Sequence, residues 1–214
     1  MLEQLVPVTV VTEVIEGDDP TAYLLPEEVP HIQTAVDGRK HEYTLGRSCA
    51  RRALSRIGIH NVPILSGPKR EPLWPDPIVG SITHCNGYCA AAVAQRTDVL
   101  ALGIDAELHA PLPEGVFEHI SVPAERERIA QAPPGTHWDR LLFSAKEAVY
   151  KAYFPLTQAW LGFKDAAITF NPDHTFEARL LTGSIAVGDR SVEVLTGRYA
   201  VSDRFVVVAV VLVA

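Results

Sequence analysis

Hydrophobic residues recur along this chain at two spacings, one typical of helices and one typical of strands. The helical spacing predicts helices over residues 41–57, 121–131 and 138–153, which should end at Gly58, Pro133 and Pro155. Valine-rich or alternating runs predict strands over residues 5–15, 79–94, 99–107, 166–170, 175–181, 191–201 and 205–213, with a turn at Asn86-Gly87. Five prolines from Pro63 to Pro77 predict a loop. Each half of the chain combines a charged helix with strands, which indicates an α+β fold of two lobes meeting near residues 98–105.

The composition is that of an ordinary globular protein. Its 214 residues are 47% hydrophobic and 21% charged, which suits one large domain or two small lobes with a buried core. Glu3 precedes the first apolar run where a signal peptide carries Lys or Arg, and the apolar stretch Val206–Ala214 is too short to cross a bilayer. Three cysteines, an odd number, do not resemble a disulfide framework. We therefore expect a soluble cytoplasmic protein.

The net charge of −7 argues against general affinity for nucleic acid, but the charge is unevenly distributed. Only one acidic residue, Glu42, lies between residues 39 and 56, against six basic ones: Arg39, Lys40, Arg47, Arg51, Arg52 and Arg56. Lys69 and Arg70 add two cations from the proline-rich loop. A confined basic patch on an acidic protein suits a small polyanionic ligand better than a long phosphate backbone. The alternative is a solvated helix face without a ligand.

Two acidic residues end the predicted strand 99–107. In extended backbone, Asp105 and Glu107 point to the same side, about 7 Å apart. Carboxylates that converge in this way suit Mg²⁺, which prefers oxygen ligands and keeps positions for substrate phosphate. The alternative is that both acids simply solubilise the strand end.

The stretch of residues 143–152 carries two ammonium groups and a carboxylate on one predicted helix: Lys146, Glu147 and Lys151. Glu147 and Lys151 are spaced i, i+4 and so share one face. A purely structural explanation also fits, because Ser144 and Glu147 match a capping box and Glu147 can pair with Lys151 on the surface.

His84 lies beside the predicted turn at Asn86-Gly87, a place where a histidine is often structural. Together with Cys85 and Cys89 it suggests a zinc site only weakly, because the two cysteines lack the usual ligand spacing and no second pair follows.

Two motifs about 40 residues apart resemble those of the Sfp/EntD-type 4′-phosphopantetheinyl transferases. The sequence GIDAE at residues 103–107 is similar to the family's G-[IV]-D-x-E, and FSAKEAVYK at residues 143–151 is similar to its [WF]-S-x-K-E-[SA]-x-x-K. Upstream, KREPLWP at residues 69–75 and ITHCNGY at residues 82–88 look like the N-terminal lobe of the EntD-like branch. The resemblance runs from about residue 37 to residue 170.

This resemblance implies an α+β fold of two similar lobes related by pseudo-twofold symmetry, with coenzyme A between them. The N-terminal lobe would be residues 1–100, with the nucleotide contacts, and the C-terminal lobe residues 101–214, with the metal site and the Lys-Glu helix. In the implied reaction, the serine of an apo acyl or peptidyl carrier protein attacks the β-phosphate of coenzyme A and releases 3′,5′-ADP. The implied carriers serve fatty acid, polyketide, nonribosomal peptide or siderophore synthesis, and the enzyme would be a monomer without nucleic-acid or membrane partners.

By the same resemblance, Asp105, Glu107 and Glu147 are Mg²⁺ ligands. Lys146 and Lys151 are phosphate contacts, and Lys151 also stabilises the transition state or moves the proton. Either Glu147 or a metal-bound water deprotonates the acceptor serine, and the sequence leaves both open.

In the N-terminal half, His84 corresponds to the family's phosphate-binding histidine, and Arg39, Arg47 and Lys69 to less specific positions that hold the 3′-phosphate and the nucleotide. Thr83 replaces a frequent serine and keeps its hydroxyl group. Two other classes of function stay open from the residues alone: another Mg²⁺-dependent enzyme, such as a nucleotide phosphohydrolase, and a noncatalytic protein that binds coenzyme A.

Overall fold

The computed structural model describes all residues, Met1–Ala214, and has a mixed helix and sheet fold, as predicted. Two 3₁₀ helices span Leu2–Leu5 and Val29–His31, and the α-helices are α1 (Asp37–Arg56), α2 (Val116–Ile120), α3 (Pro123–Ala130) and α4 (Trp138–Thr157). The strands are β1 (Val11–Glu16), β2 (Leu65–Ser66), β3 (Pro72–Leu73), β4 (Ile78–Cys85), β5 (Tyr88–Gln95), β6 (Val99–Leu108), β7 (Ala166–Phe170), β8 (Thr175–Leu180), β9 (Ile185–Val187), β10 (Arg190–Val192), β11 (Val194–Val201) and β12 (Phe205–Val213). None of the helices combines the length and the apolar character that crossing a bilayer needs.

The first half of the chain forms a three-stranded antiparallel sheet in the order β1-β5-β4, with α1 packed against it. The turn at Asn86-Gly87 joins β4 to β5 as predicted, and Gly87 has a φ of +78° that suits glycine. Helix α1 is longer than predicted and begins at Asp37. The predicted first strand is shorter, because residues 2–5 form a 3₁₀ helix whose leucines are buried.

The second half forms a five-stranded antiparallel sheet in the order β6-β12-β11-β8-β7. Helix α4 packs on β6 and β12, and its buried face belongs to the largest apolar cluster of the protein. The other face of β6 and β12 is covered by residues of the first half, including Leu2, Val79 and Tyr88. The strand β6 is therefore an edge strand that is buried on both faces.

Helix α4 begins at Trp138, as the helical spacing predicts, and differs from its prediction at its C-terminal end. Because of this start, Ser144 lies in the helix interior and the capping-box explanation is wrong. The helix continues past Pro155 to Thr157, ending at Gln158 in the left-handed conformation. Pro155 lacks an N–H group and so removes one hydrogen bond from the last turn of the helix.

The proline-rich segment is not a simple loop, because it contains the small hairpin of β2 and β3. Beyond this hairpin, β4 forms the edge of the first sheet and lies against β6, the edge of the second sheet. We call the contact between β4 and β6 the edge seam. The predicted acidic residues Asp105 and Glu107 lie on its β6 side, and His84, the predicted phosphate-binding residue, lies on its β4 side.

Candidate active site

The close packing of α4 on β6 depends on Gly103. A Cβ atom at this position would lie 2.0 Å from the carbonyl oxygen of Ala148 and 2.7 Å from the backbone nitrogen of Ala152. The glycine of the first motif therefore packs against the small residues of the second motif. This contact brings the acidic end of β6 beside the charged face of α4.

The carboxylate of Asp105 is buried and is bound on both oxygens. Its Oδ1 atom accepts hydrogen bonds from Lys151 Nζ at 2.7 Å and from Thr83 Oγ1 at 3.2 Å, and its Oδ2 atom accepts one from Ser144 Oγ at 2.8 Å. Lys151 also donates to the carbonyl oxygen of Ile104. The ion pair predicted between Lys151 and Glu147 is replaced by this pair with Asp105.

Glu107 and Glu147 complete the acidic group. Glu107 Oε2 lies 3.0 Å from Arg140 NH1, whereas Glu147 forms no hydrogen bond or ion pair within the chain. Burial raises the pKa of both carboxyl groups, and the negative charge of Asp105 raises each pKa further. The charge of Asp105 therefore acts on both glutamates, which are half-buried in the wall of the cleft.

These carboxylates fit a divalent cation in kind, although the structure does not gather any three His, Cys, Asp or Glu residues into a metal-binding cluster. The fit rests on the donor chemistry, because carboxylate oxygens are the ligands that Mg²⁺ prefers and the charge of Asp105 repels that of each glutamate. Only Lys151 and Arg140 form ion pairs with this group. A bound cation would reduce the repulsion between Asp105 and the two glutamates.

A cleft of about 670 Å³ joins this acidic group to a cationic wall. Arg39, Lys69 and His84 line it from the first half of the chain. Arg39 NH1 lies 2.8 Å from His84 Nε2, and since a guanidinium can only donate, the imidazole accepts and is neutral. Burial lowers the pKa of His84, in agreement with the neutral ring.

Arg47 also lines the cleft, and part of its guanidinium binds the protein. Its Nε atom donates to the carbonyl oxygen of Ile64 at 2.6 Å, its NH2 atom donates to Ser66 Oγ, and its Cζ atom lies 4.1 Å from the centroid of the Tyr43 ring. Burial lowers the pKa of this guanidinium. Arg47 therefore fixes the β2–β3 hairpin at the cleft wall, and three of its five N–H groups form no hydrogen bond within the chain.

Lys146, which was expected to contact phosphate, does not line the cleft in this structure. Its side chain is 2% exposed, and its ammonium donates to Glu125 Oε2 at 2.9 Å and to the carbonyl oxygens of Phe163 and Ala166. An ammonium has three N–H donors, and all three are used here. Lys146 therefore ties α4 to α3 and to the segment before β7.

The structure adds residues that the sequence reasoning missed. Arg140 lies seven residues before Glu147 and so on the same helix face, a spacing that could have revealed its contact with Glu107. The apolar part of the cleft is formed by Trp74, Leu100, Tyr150 and Phe154 among others, and these come together only through the topology. The cleft thus offers acidic, basic and apolar surfaces in one continuous space.

Comparison with known proteins agrees with this arrangement. A family model described as the 4′-phosphopantetheinyl transferase N-terminal domain matches residues 27–94, and one described as the 4′-phosphopantetheinyl transferase superfamily matches residues 101–203. The chain is 48% identical over 200 residues to 4′-phosphopantetheinyl transferase Svp of Streptomyces mobaraensis, covering 90% of this chain and 81% of that protein. It is 49% identical over 180 residues to 4′-phosphopantetheinyl transferase PptT of Mycobacterium tuberculosis, covering 82% and 79%.

A more distant relative is enterobactin synthase component D of Escherichia coli strain K12, which is 38% identical over 148 residues, covering 65% of this chain and 68% of that protein. The two family models together span both halves of the cleft, from the cationic wall to the acidic group. The chain therefore belongs to the 4′-phosphopantetheinyl transferases, the enzymes that transfer phosphopantetheine from coenzyme A to carrier proteins.

Proposed function

We propose that the cleft binds coenzyme A with its pyrophosphate beside Asp105, Glu107 and Glu147. The observation that carries this proposal is the meeting of three carboxylates and Lys151 with a cationic wall in one cleft. The three carboxylates would hold a Mg²⁺ ion. When bound, this ion would offset the negative charge that the pyrophosphate gains as its bridging bond breaks.

The remaining chemistry falls to two residues of α4. Glu147 is the one carboxylate of the three that has no partner in the chain, so it can accept the proton of the acceptor serine, and it would also help to hold the cation. The serine oxygen then forms a bond to the β-phosphorus, and the bond from that phosphorus to 3′,5′-ADP breaks. Lys151 is 27% exposed and so can turn from Asp105 to donate a hydrogen bond to the phosphoryl oxygens or to the departing group.

The two ends of coenzyme A would take different walls of the cleft. Arg39, Lys69 and the imidazole of His84 would hold the 3′-phosphate and nucleotide, with Arg47 as the support of this wall. The pantetheine arm would follow β6 from Asp105 towards Leu100, a distance of about 16 Å in extended backbone. Trp74, Tyr150 and Phe154 provide the apolar surface along this path.

The proposed architecture is a pair of similar lobes related by a pseudo-twofold axis, residues 1–100 and 101–214. It is supported by one sheet with one long packed helix in each half and by the separate matches of two family models. We propose further that the enzyme is a cytoplasmic monomer that acts on carriers of polyketide, nonribosomal peptide or siderophore synthesis. The relative named enterobactin synthase component D supports the last of these.

Intact-mass spectrometry of an apo carrier protein tests the function. Incubation with coenzyme A and Mg²⁺ should add about 340 Da, the mass of phosphopantetheine, and a carrier whose acceptor serine is changed to alanine should gain nothing. Release of inorganic phosphate without a mass gain would point to a phosphohydrolase. Binding of coenzyme A with neither product would point to a noncatalytic binding protein.

A further inference from the structure

The edge seam between β4 and β6 is closed by side-chain hydroxyl groups. Strand β6 pairs with β12 on one side, and on its other side its N–H groups need partners from elsewhere. The N–H group of Ile104 donates to Ser81 Oγ at 3.0 Å, and that of Ala106 donates to Thr83 Oγ1, also at 3.0 Å. Both hydroxyl groups belong to β4, so two side chains two residues apart substitute for a backbone ladder.

Thr83 does more than close the seam. A threonine hydroxyl has one hydrogen to donate and two lone pairs to accept with. Because the Ala106 N–H group occupies a lone pair, the hydrogen remains free and points to Asp105 Oδ1 at 3.2 Å. Ser81 has the same bond to the seam but no contact with a carboxylate.

Asp105 is therefore held from two sides, by Lys151 and Ser144 of α4 and by Thr83 of β4. Ser144 of α4 donates to its Oδ2 atom, and Thr83 of β4 donates to its Oδ1 atom. The terminal torsion of an aspartate is broad, so the orientation of the carboxylate depends on such bonds. The bond from Thr83, at 3.2 Å, is longer than a typical hydroxyl hydrogen bond.

We propose that Thr83 is a positioning residue that orients Asp105 for catalysis from the opposite side of the edge seam. The Thr83 hydroxyl group accepts from the N–H group of Ala106, a bond that depends on the register of β4 and β6, and it also orients the Asp105 carboxylate. The reacting end of the cleft is therefore complete only when the two strands are in register. Thr83 touches neither the phosphorus nor the acceptor serine in this role. The inference rests on the place of Asp105 in the proposed function.

The test compares Thr83→Val, which removes the hydroxyl at nearly constant shape, with Thr83→Ser, which retains it, and with the matched control Ser81→Ala. Ser81→Ala loses the equivalent seam bond without affecting Asp105. Thr83→Val should lower kcat about tenfold while KM for coenzyme A stays within about twofold. Thr83→Ser should restore kcat, and Ser81→Ala should leave it within about twofold.

A second readout does not depend on turnover. Binding of Mn²⁺ to the free enzyme, followed by the electron paramagnetic resonance of the free ion, should weaken several-fold in Thr83→Val and not in Ser81→Ala. Equal effects of Thr83→Val and Ser81→Ala on kcat and on Mn²⁺ affinity would overturn the proposal, because they would leave only a shared structural role. If Thr83→Val does not fold, Thr83→Ala is judged by the same criteria.

Asp105→Asn separates this inference from the proposed function. If Asp105→Asn keeps full activity, the proposed site itself fails, whatever Thr83 does. If Asp105→Asn loses activity while Thr83→Val behaves like Ser81→Ala, only the role of Thr83 fails.

Discussion

Replacing Gly103 with alanine should damage both the stability and the activity of this protein. The added Cβ atom would lie 2.0 Å from the carbonyl oxygen of Ala148, where ordinary contacts begin at 3.4 Å. Both obstacles are backbone atoms, Ala148 O and Ala152 N, so no side-chain rotation relieves the overlap. Helix α4 must therefore move away from β6 by about 1 Å or more, as overpacking a close-packed interior requires.

The size of the effect follows from this shift. Overpacking of this kind costs about 3 kcal/mol, which lowers the melting temperature of a chain of this length by roughly 6–12 °C. Because Asp105 lies on β6 and Glu147 and Lys151 lie on α4, the same movement also separates the reacting groups. A misplacement of about 1 Å can reduce the rate on the order of a hundredfold.

Thermal unfolding and intact-mass measurement of carrier modification would record the two effects. Gly38→Ala is the matched control, because a Cβ atom at Gly38 in α1 meets nothing within 4 Å. This variant should be as stable as the unmutated protein or more stable by up to about 1 kcal/mol. If Gly103→Ala melts within about 2 °C of the unmutated protein and keeps half its activity, the packing argument fails.

Three further predictions concern residues around the cleft. Glu125→Gln leaves the buried ammonium of Lys146 without its counter-charge and should cost about 3 kcal/mol or more of unfolding free energy. Calorimetry should show that its affinity for coenzyme A stays within twofold of the unmutated protein. An equal loss of stability in the exposed variant Glu127→Gln would contradict the importance of the buried pair. Arg39→Ala should remove most of the preference for coenzyme A over dephospho-coenzyme A, since the proposed binding mode puts the 3′-phosphate on its guanidinium; equal affinity of the unmutated protein for the two ligands would reject this. Burial lowers the pKa of His84 in the free protein and bound phosphate should raise it, so the affinity for coenzyme A should fall as pH rises between those two pKa values. Titration calorimetry across this range should show that His84→Gln lacks that part of the pH dependence, and an unchanged profile would exclude His84 as its source.

The sequence predicted which residues of the acidic group lie together because local rules determine their directions. Residue alternation puts Asp105 and Glu107 on one side of a strand, and both line the cleft in the structure. The i, i+4 rule put Glu147 and Lys151 on one helix face, and both line the same cleft. These relations need no knowledge of the tertiary fold.

The contacts of other residues could not be predicted because their partners are distant in sequence. Lys146 is adjacent to Glu147, yet a one-residue step turns its side chain by about 100° around the helix, towards Glu125. Arg47 lines the cleft as its predicted role requires, but two of its donors also hold the hairpin that contains Ser66. Neither Glu125 nor the hairpin carries a local signal that identifies its partner.

The boundaries of α4 show the same limit. Pro155 is a helix breaker by its local chemistry, but it lies where the helix has only two more residues to form, and the packed face of α4 is already complete. Ser144 and Glu147 have the spacing of a capping box, but the helix begins at Trp138, and the Ser144 hydroxyl group donates a hydrogen bond to Asp105. Local patterns identified the helix, whereas contacts with β6 determined which partners its polar side chains bind.

The central claim is that Glu147 belongs to the reacting group of the cleft. Its most direct test is the single-turnover rate of phosphopantetheine transfer by Glu147→Gln at saturating coenzyme A and Mg²⁺, with Glu127→Gln as the control on an exposed helix face. The account predicts a loss of at least about a hundredfold, on the order of 3 kcal/mol of barrier, with an unchanged melting temperature and a normal rate in the control. A rate within a fewfold of the unmutated enzyme would contradict it.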